Sequence, residues 1–212
     1  MRSGSIKRGA TLLFFALSVG VLGVAIASRK APVPEKVVDY TASDYVLILE
    51  VAGSVQGTVY IELYPGVAPT NVARIIELAQ EGAYDGIAFH RVIEGFMAQT
   101  GDVKFGMVEN YDPADVGDGG SAKLNLPPEF SDIPFETGIV AMSRRQSSVN
   151  SANSQFFIMM GDNPNLNGQF TVVGRVVSGI QTVFAIQPGG RGNNGVLLGN
   201  PDYIKRAYVD IY

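Results

Sequence analysis

The sequence predicts a mainly β protein: a closed antiparallel barrel of eight strands with two flanking helices, preceded by an N-terminal hydrophobic segment. Three observations lead there. Eight short apolar or alternating runs are spread over residues 45–211, the pattern of short strands. Turn formers are frequent, with 25 Gly and 11 Pro in 212 residues, which suits tight connections better than a helix bundle. Apolar residues make up 46% and charged residues 17%, so a core can be buried, and the composition argues against intrinsic disorder. Closing the strands into a barrel also removes exposed edges.

The elements follow in order. Tyr45–Val51 and Thr58–Tyr64 form a hairpin whose turn runs from Gly53 to Gly57. In the second strand Val59, Ile61 and Leu63 alternate with Thr58, Tyr60 and Glu62, which gives one apolar face. A helix comes next. Pro69 suits its first turn, Val72, Ile75, Ile76 and Ala79 make one apolar stripe, and Gly82 stops it. Ile87–Ile93 and Phe96–Thr100 are short strands on either side of Gly95. Residues 101–136 are rich in Gly, Asp and Pro and lack periodicity; so long a loop in a compact domain is usually functional. Ile139–Met142, Gln155–Met160 and Thr171–Val177 are further strands. Gly179–Ile186 reads as a second short helix, Gln187–Pro201 as a Gly/Asn-rich loop, and Tyr203–Ile211 as the closing strand.

Residues 44–212 thus form one domain, and two segments precede it. Ala10–Ala27 carry neither charge nor Pro, and Arg2, Lys7 and Arg8 stand before them. Residues 1–27 therefore read as a signal peptide or a membrane anchor. Ala25-Ile26-Ala27 supplies a cleavage signal before Ser28, yet the stretch is long enough to span. Either way the domain is expected on the far side of the membrane, exported to the periplasm or anchored facing it, because the positive charges stay inside. Residues 28–43 read as a linker.

Composition excludes several function classes. There is no cysteine, and His90 is the only histidine. Disulfides, thiolate chemistry and multi-histidine metal sites are ruled out. The net charge is −4, and it is more negative without the first 27 residues; an acidic body argues against nucleic acid as a partner. Two motifs fail on context. Gly190-Arg191-Gly192-Asn193-Asn194-Gly195 matches a dinucleotide fingerprint, but Leu198-Gly199-Asn200-Pro201 follows instead of a helix. Asp112, Asp115 and Asp118 lack the alternation and closing glutamate of a calcium loop.

Four ordered blocks carry a resemblance. They are Phe89-His90-Arg91-Val92-Ile93 with Gly95-Phe96-Met97-Ala98-Gln99-Thr100-Gly101-Asp102; Gly138 to Ser143; Asn153 to Ile158; and Leu166 to Gly174. From about Tyr45 onward the sequence resembles the cyclophilin-type peptidyl-prolyl cis/trans isomerases, and residues 127–138 look most like exported bacterial members. The resemblance implies an isomerase whose partners are proline-containing polypeptides, with no cofactor and no metal; a monomer is expected. It makes Arg91 the catalytic arginine, with Gln99 and Phe96 beside it. Phe96, Met97, Phe157 and Leu166 match the walls of the family's proline pocket, and Gln99 and Gln155 its polar substrate contacts. Ser143 and Arg144 fall where the family uses backbone to bind the residue preceding proline. Phe170 stands where many members carry His, and Asn165 where some carry Trp.

The residue types suit that chemistry. Amide resonance opposes rotation about an X-Pro bond with a barrier of roughly 20 kcal/mol. Lowering it needs neither nucleophile nor metal. It needs an apolar seat for the ring and a group that favours the twisted amide, whose nitrogen regains a lone pair. A permanently charged guanidinium is such a group. Taken singly, Arg91 would read as a surface strand residue and the phenylalanines as core. Alternation places Phe156 and Phe157 on opposite faces. His90, next to Arg91, is expected to face away from the site as a hydrogen-bonded structural residue. The remaining alternative is a proline-binding chaperone or scaffold with little turnover.

Overall fold

The computed structural model describes residues 44–211; the segments expected at 1–27 and 28–43 lie outside the described residues. The strands are β1 (Tyr45–Ala52), β2 (Gly57–Leu63), β3 (Ile87–Ala88), β4 (Arg91–Ile93), β5 (Met97–Thr100), β6 (Ile139–Met142), β7 (Phe156–Met159), β8 (Val172–Ser178) and β9 (Tyr203–Ile211). The helices are α1 (Pro69–Gln80) and α2 (Ile180–Ala185). All strands join one curled antiparallel sheet in the order β3-β9-β1-β2-β8-β6-β7-β5-β4.

The fold class is as expected, mainly β with two helices, and the sheet differs from the expected closed eight-stranded barrel in detail. It has nine strands, and its edges are β3 and β4, the two halves of the single strand expected at Ile87–Ile93. The segment splits because it changes partners. Ile87 and Ala88 pair with Ile204 and Tyr203 of β9, while Arg91, Val92 and Ile93 pair with Gln99, Ala98 and Met97 of β5. Between them the Phe89 N–H goes to Asp202 O and the His90 carbonyl accepts from Leu197 N. The sheet curls round until both edges meet in one stretch of chain. The far side of β4 is not bare either. Val92 donates to Gly195 O and its own carbonyl accepts from Gly189 N, so the 187–201 loop covers that edge. Bulges at Glu50/Val51, Tyr60/Ile61 and Val140/Ala141 add the twist that curling needs.

Helix α1 begins with Pro69 at its first position. It has no side-chain cap of its own. Glu129, in the long loop, accepts from Thr70 N at 3.1 Å, Asn71 N at 2.9 Å and Asn71 Nδ2 at 2.7 Å. Burial pushes this carboxyl's pKa up, but the bonds from Asn71 and Thr70 outweigh it and hold it below the usual value. A carboxylate here also meets the positive end of the helix dipole. At the other end Gly82, at φ +68°, lets Ala83 N reach Leu78 O and Gly82 N reach Ala79 O, a Schellman stop. Val72, Ile75 and Ala79 are buried as the stripe predicts, together with Leu78; Ile76 is only half-buried.

The sheet is apolar on both faces. One face, closed by α1, packs Leu47, Leu49, Ile61, Val140, Phe156 and Ile158 into the larger core. The other packs Met97, Ile139, Ala141, Phe157, Met159 and Val172 against Ile133 and Phe135 of the long loop. Successive residues of β6 and β7 therefore serve different cores, as the two-residue period of a strand requires. Phe96, Leu166 and Phe170 pack on the second cluster without being fully covered.

Candidate active site

That partly covered edge opens into a cleft of about 1230 Å³. Every site residue expected from the sequence lines it: Arg91, Phe96, Met97, Gln99, Ser143, Arg144, Gln155, Phe157, Leu166 and Phe170. They come from four places. β4 and β5, with the turn between them, supply Arg91, Phe96, Met97 and Gln99; the turn needs Gly95 at φ +71°. The ends of β6 and β7 bring Ser143, Arg144, Gln155 and Phe157. A single helical turn over Pro164–Leu166, started by Asn163, presents Leu166, and Phe170 precedes β8.

The apolar part is an aromatic corner. Phe157 stacks on Phe135 with centroids 6.2 Å apart and meets Phe170 edge-on at 5.4 Å. Met97, 2% exposed, closes the floor. Rings in this arrangement attract one another while leaving an apolar concavity.

The polar part is a chain of hydrogen bonds. Arg91 is half-buried. Its Nη1 donates to Gln99 Oε1 at 3.3 Å and to Met97 Sδ at 3.9 Å, its Nε to Asn194 O at 2.9 Å, and its Nη2 to Asn194 Oδ1 at 3.0 Å. One N–H on Nη2 is left over. Burial lowers the Arg91 pKa from the usual arginine value. No carboxylate pairs with it among the described residues. Gln99 Nε2 donates to Gln155 Oε1 at 2.9 Å and to Ser143 Oγ at 3.1 Å. Gln155 Nε2 donates to the carbonyls of Gly117 and Gly119 at 2.9 and 2.8 Å. The N–H groups of those two glycines donate to Asp102 Oδ2, at 2.7 and 3.0 Å. Asp102 is fully buried, and its Oδ1 accepts from Lys104 N and Phe105 N.

Gln99 and Gln155, expected as substrate contacts, are thus 9% and 8% exposed and bonded within the protein. The Ser143 N–H is already taken by Gln155 O, so Ser143 offers its hydroxyl to the network instead. Asn194 and Asp102 were not singled out by the sequence reading. The Asn-Asn-Gly turn was the available signal for Asn194, which adopts φ +57°.

His90 departs from expectation in one respect. It is 2% exposed and turned away from the cleft's lining, but neither ring nitrogen finds a well-formed hydrogen bond. Gln155, one neighbour of the ring, has its amide engaged with Gly117, Gly119 and Gln99. Burial pushes the His90 pKa down to about 4, with Asp102, the Ala88 backbone and Gln155 opposing weakly.

The family model described as "Cyclophilin type peptidyl-prolyl cis-trans isomerase/CLD" matches residues 46–209. The chain belongs to this family. Among curated cyclophilin-type relatives, a probable peptidyl-prolyl cis-trans isomerase of Brucella suis is 50% identical over 202 residues, which cover 95% of this chain and 94% of that protein. Peptidyl-prolyl cis-trans isomerase B of Bacillus subtilis is 40% identical over 57% of this chain and 76% of its own. Among solved cyclophilins, AquaCyp293 from Hirschia baltica superposes with a TM-score of 0.62 at 25% identity, over 77% of this chain and 73% of that one. A Cryptosporidium parvum cyclophilin does so at 0.63 and 23%, over 79% and 98%. The curled sheet with two helices is the cyclophilin fold, and the activity of the family is peptidyl-prolyl isomerisation.

Proposed function

We propose that this cyclophilin isomerises X-Pro bonds of exported polypeptides, seating the proline on Phe157 and turning Arg91 toward the prolyl nitrogen. The observation that carries this reading is the pairing of an open aromatic corner with a guanidinium that has no anionic partner and one N–H to spare. The ring fills the corner bounded by Phe96, Met97, Leu166 and Phe170 and expels water. As the amide twists, its nitrogen becomes an acceptor, and Arg91 donates to it. Gln99 holds the guanidinium on one side and Asn194 on the other, so little reorganisation accompanies the twist. Each tenfold in rate needs about 1.4 kcal/mol of preference for the twisted form. The Cryptosporidium parvum structure was obtained in the presence of the dipeptide Ala-Pro, which supports proline peptides as the ligand class here.

The test is exchange NMR of a short Ala-Pro peptide with the full-length chain. Line broadening of the cis and trans resonances at catalytic protein concentration is expected; binding without exchange would instead favour a scaffold. Export through residues 1–27 is part of the proposal, supported by the charge asymmetry around Ala10–Ala27. Sequencing the N-terminus of protein recovered from the envelope distinguishes the forms: a start at Ser28 means cleavage, and a start at Met1 means an anchor.

A further inference from the structure

The cleft is cationic although the protein is acidic. Four of the ten lysines and arginines between residues 44 and 212 line it: Arg91, Lys104, Arg144 and Arg145. Only one of the eighteen aspartates and glutamates in the same span does, Asp118. None of the four cations forms an ion pair; among the described residues those involve Arg74, Lys123 and Arg175 alone.

Three of the four stand outside the proline corner. The Arg144 guanidinium lies 4.7 Å from the Phe170 centroid. Its Nε donates to Gln169 O and its Nη1 to Arg145 O, so it is fixed at the rim of the corner. Arg145 is exposed, and its Nη2 reaches the Asp118 carbonyl at 3.3 Å rather than the Asp118 carboxylate. Its backbone N–H is held by Ser151 Oγ. Lys104 is exposed, with its ammonium 4.5 Å from the Phe105 centroid. Its backbone is pinned by Asp102. Each charge therefore sits on an anchored stretch of chain, and cations left without a partner along a peptide-binding cleft await an anion on the peptide.

We infer that this rim selects segments in which aspartate or glutamate stands in the residues just before the proline. The inference deepens the isomerase reading and rests on it. A bound carboxylate senses charges within a Debye length, about 8 Å at physiological salt, so the rim outweighs the acidic remainder of the surface. An exposed pair gives at most about a fivefold gain in affinity. Two or three acting together give about tenfold.

The experiment compares peptides of the form Ala-X-Pro-Phe, with X as Glu, Gln or Lys, on the full-length chain. NMR titration gives Kd and exchange NMR gives kcat/KM, at low and at high salt. The Glu peptide is expected to bind about tenfold tighter than the Gln peptide at low salt, with the Lys peptide weakest and the difference shrinking toward unity at high salt. Combining Arg145→Gln with Lys104→Gln is expected to cut the Glu-to-Gln ratio about threefold without moving the melting temperature. Equal Kd values for the Glu and Gln peptides at low salt overturn the inference, as does a Glu-to-Gln ratio left undiminished by both substitutions. Turnover of all three peptides with equal Kd removes the rim's role alone. Binding without turnover removes the isomerase reading, while the Kd ratio still decides the rim.

Discussion

Phe156 and Phe157 are neighbours on β7 and share a side chain, yet their surroundings differ. Phe156 is fully buried, with Tyr84 edge-on at 5.5 Å, and the Tyr84 hydroxyl is satisfied by Ser154 O. Phe157 keeps 5% exposure, leans on Phe135 and Phe170, and faces the cleft. On one face the apolar surface is consumed by folding. On the other a remainder is left for a proline ring to cover. One strand thereby links stability and recognition through its two-residue period.

The largest expected effect breaks the first face. Phe156→Ala should cost about 3–5 kcal/mol of stability, because the surrounding core cannot collapse into the space. Phe157→Ala should cost no more than about half of that, since water can enter from the cleft, while KM for a proline peptide rises. Chemical denaturation and kinetics on both variants measure the contrast; equal stability losses would contradict it.

Acid sharpens the same contrast. The His90 pKa is depressed in the folded state to about 4, against about 6.5 unfolded. The unfolded chain therefore binds the proton first. Stability should be full above pH 6.5 and fall as pH drops toward 4, by on the order of 3 kcal/mol. Turnover should stay flat from about pH 6 to 8.5, since Arg91 keeps its charge throughout and His90 faces the interior. Denaturation midpoints and kcat/KM measured across one pH series test both halves. A limb in kcat/KM near 6.5 at constant stability would sink the electrostatic mechanism.

Arg91→Ala should lower kcat/KM about 10²-fold with little change in melting temperature, the loss typical of one well-placed donor. Arg91→Lys should recover little of it, because an ammonium cannot engage Gln99, Asn194 and substrate together. The smallest effect belongs to Asn194→Gly. It keeps the backbone carbonyl that holds Nε and the left-handed conformation, and removes only the bond to Nη2. A loss of about fivefold in kcat is expected, about 1 kcal/mol, with KM unchanged.

Much of this was legible in the sequence. The limits of β6 and β9, Pro69 and Gly82 at the ends of α1, and the opposed faces of β7 all follow from local pattern. The cleft residues were legible from four motif blocks in order. What escaped was set by distant pairing. Nothing in Ile87–Ile93 announces that its halves bond to strands from opposite ends of the sheet. Asn194 meets Arg91 across 103 residues, and Glu129 caps α1 across 58. His90 makes no well-formed hydrogen bond, and Gln155, 65 positions later, has its amide engaged by a glycine loop. Side-chain chemistry can be read along the chain; which groups compete for it depends on the fold.

The split segment also bears on how the molecule forms. Tyr45 pairs with Ile211 and Ile87 with Ile204, so the sheet cannot curl shut until residues 203–211 have been synthesised. Contacts of such sequence separation slow folding, because chain entropy is lost well before it is repaid. A growing chain that holds every residue up to Pro201 still exposes the apolar edges of β1 and β3. Shape completion therefore waits on residues 203–211, and a polypeptide that folds so late stays threadable until they are made.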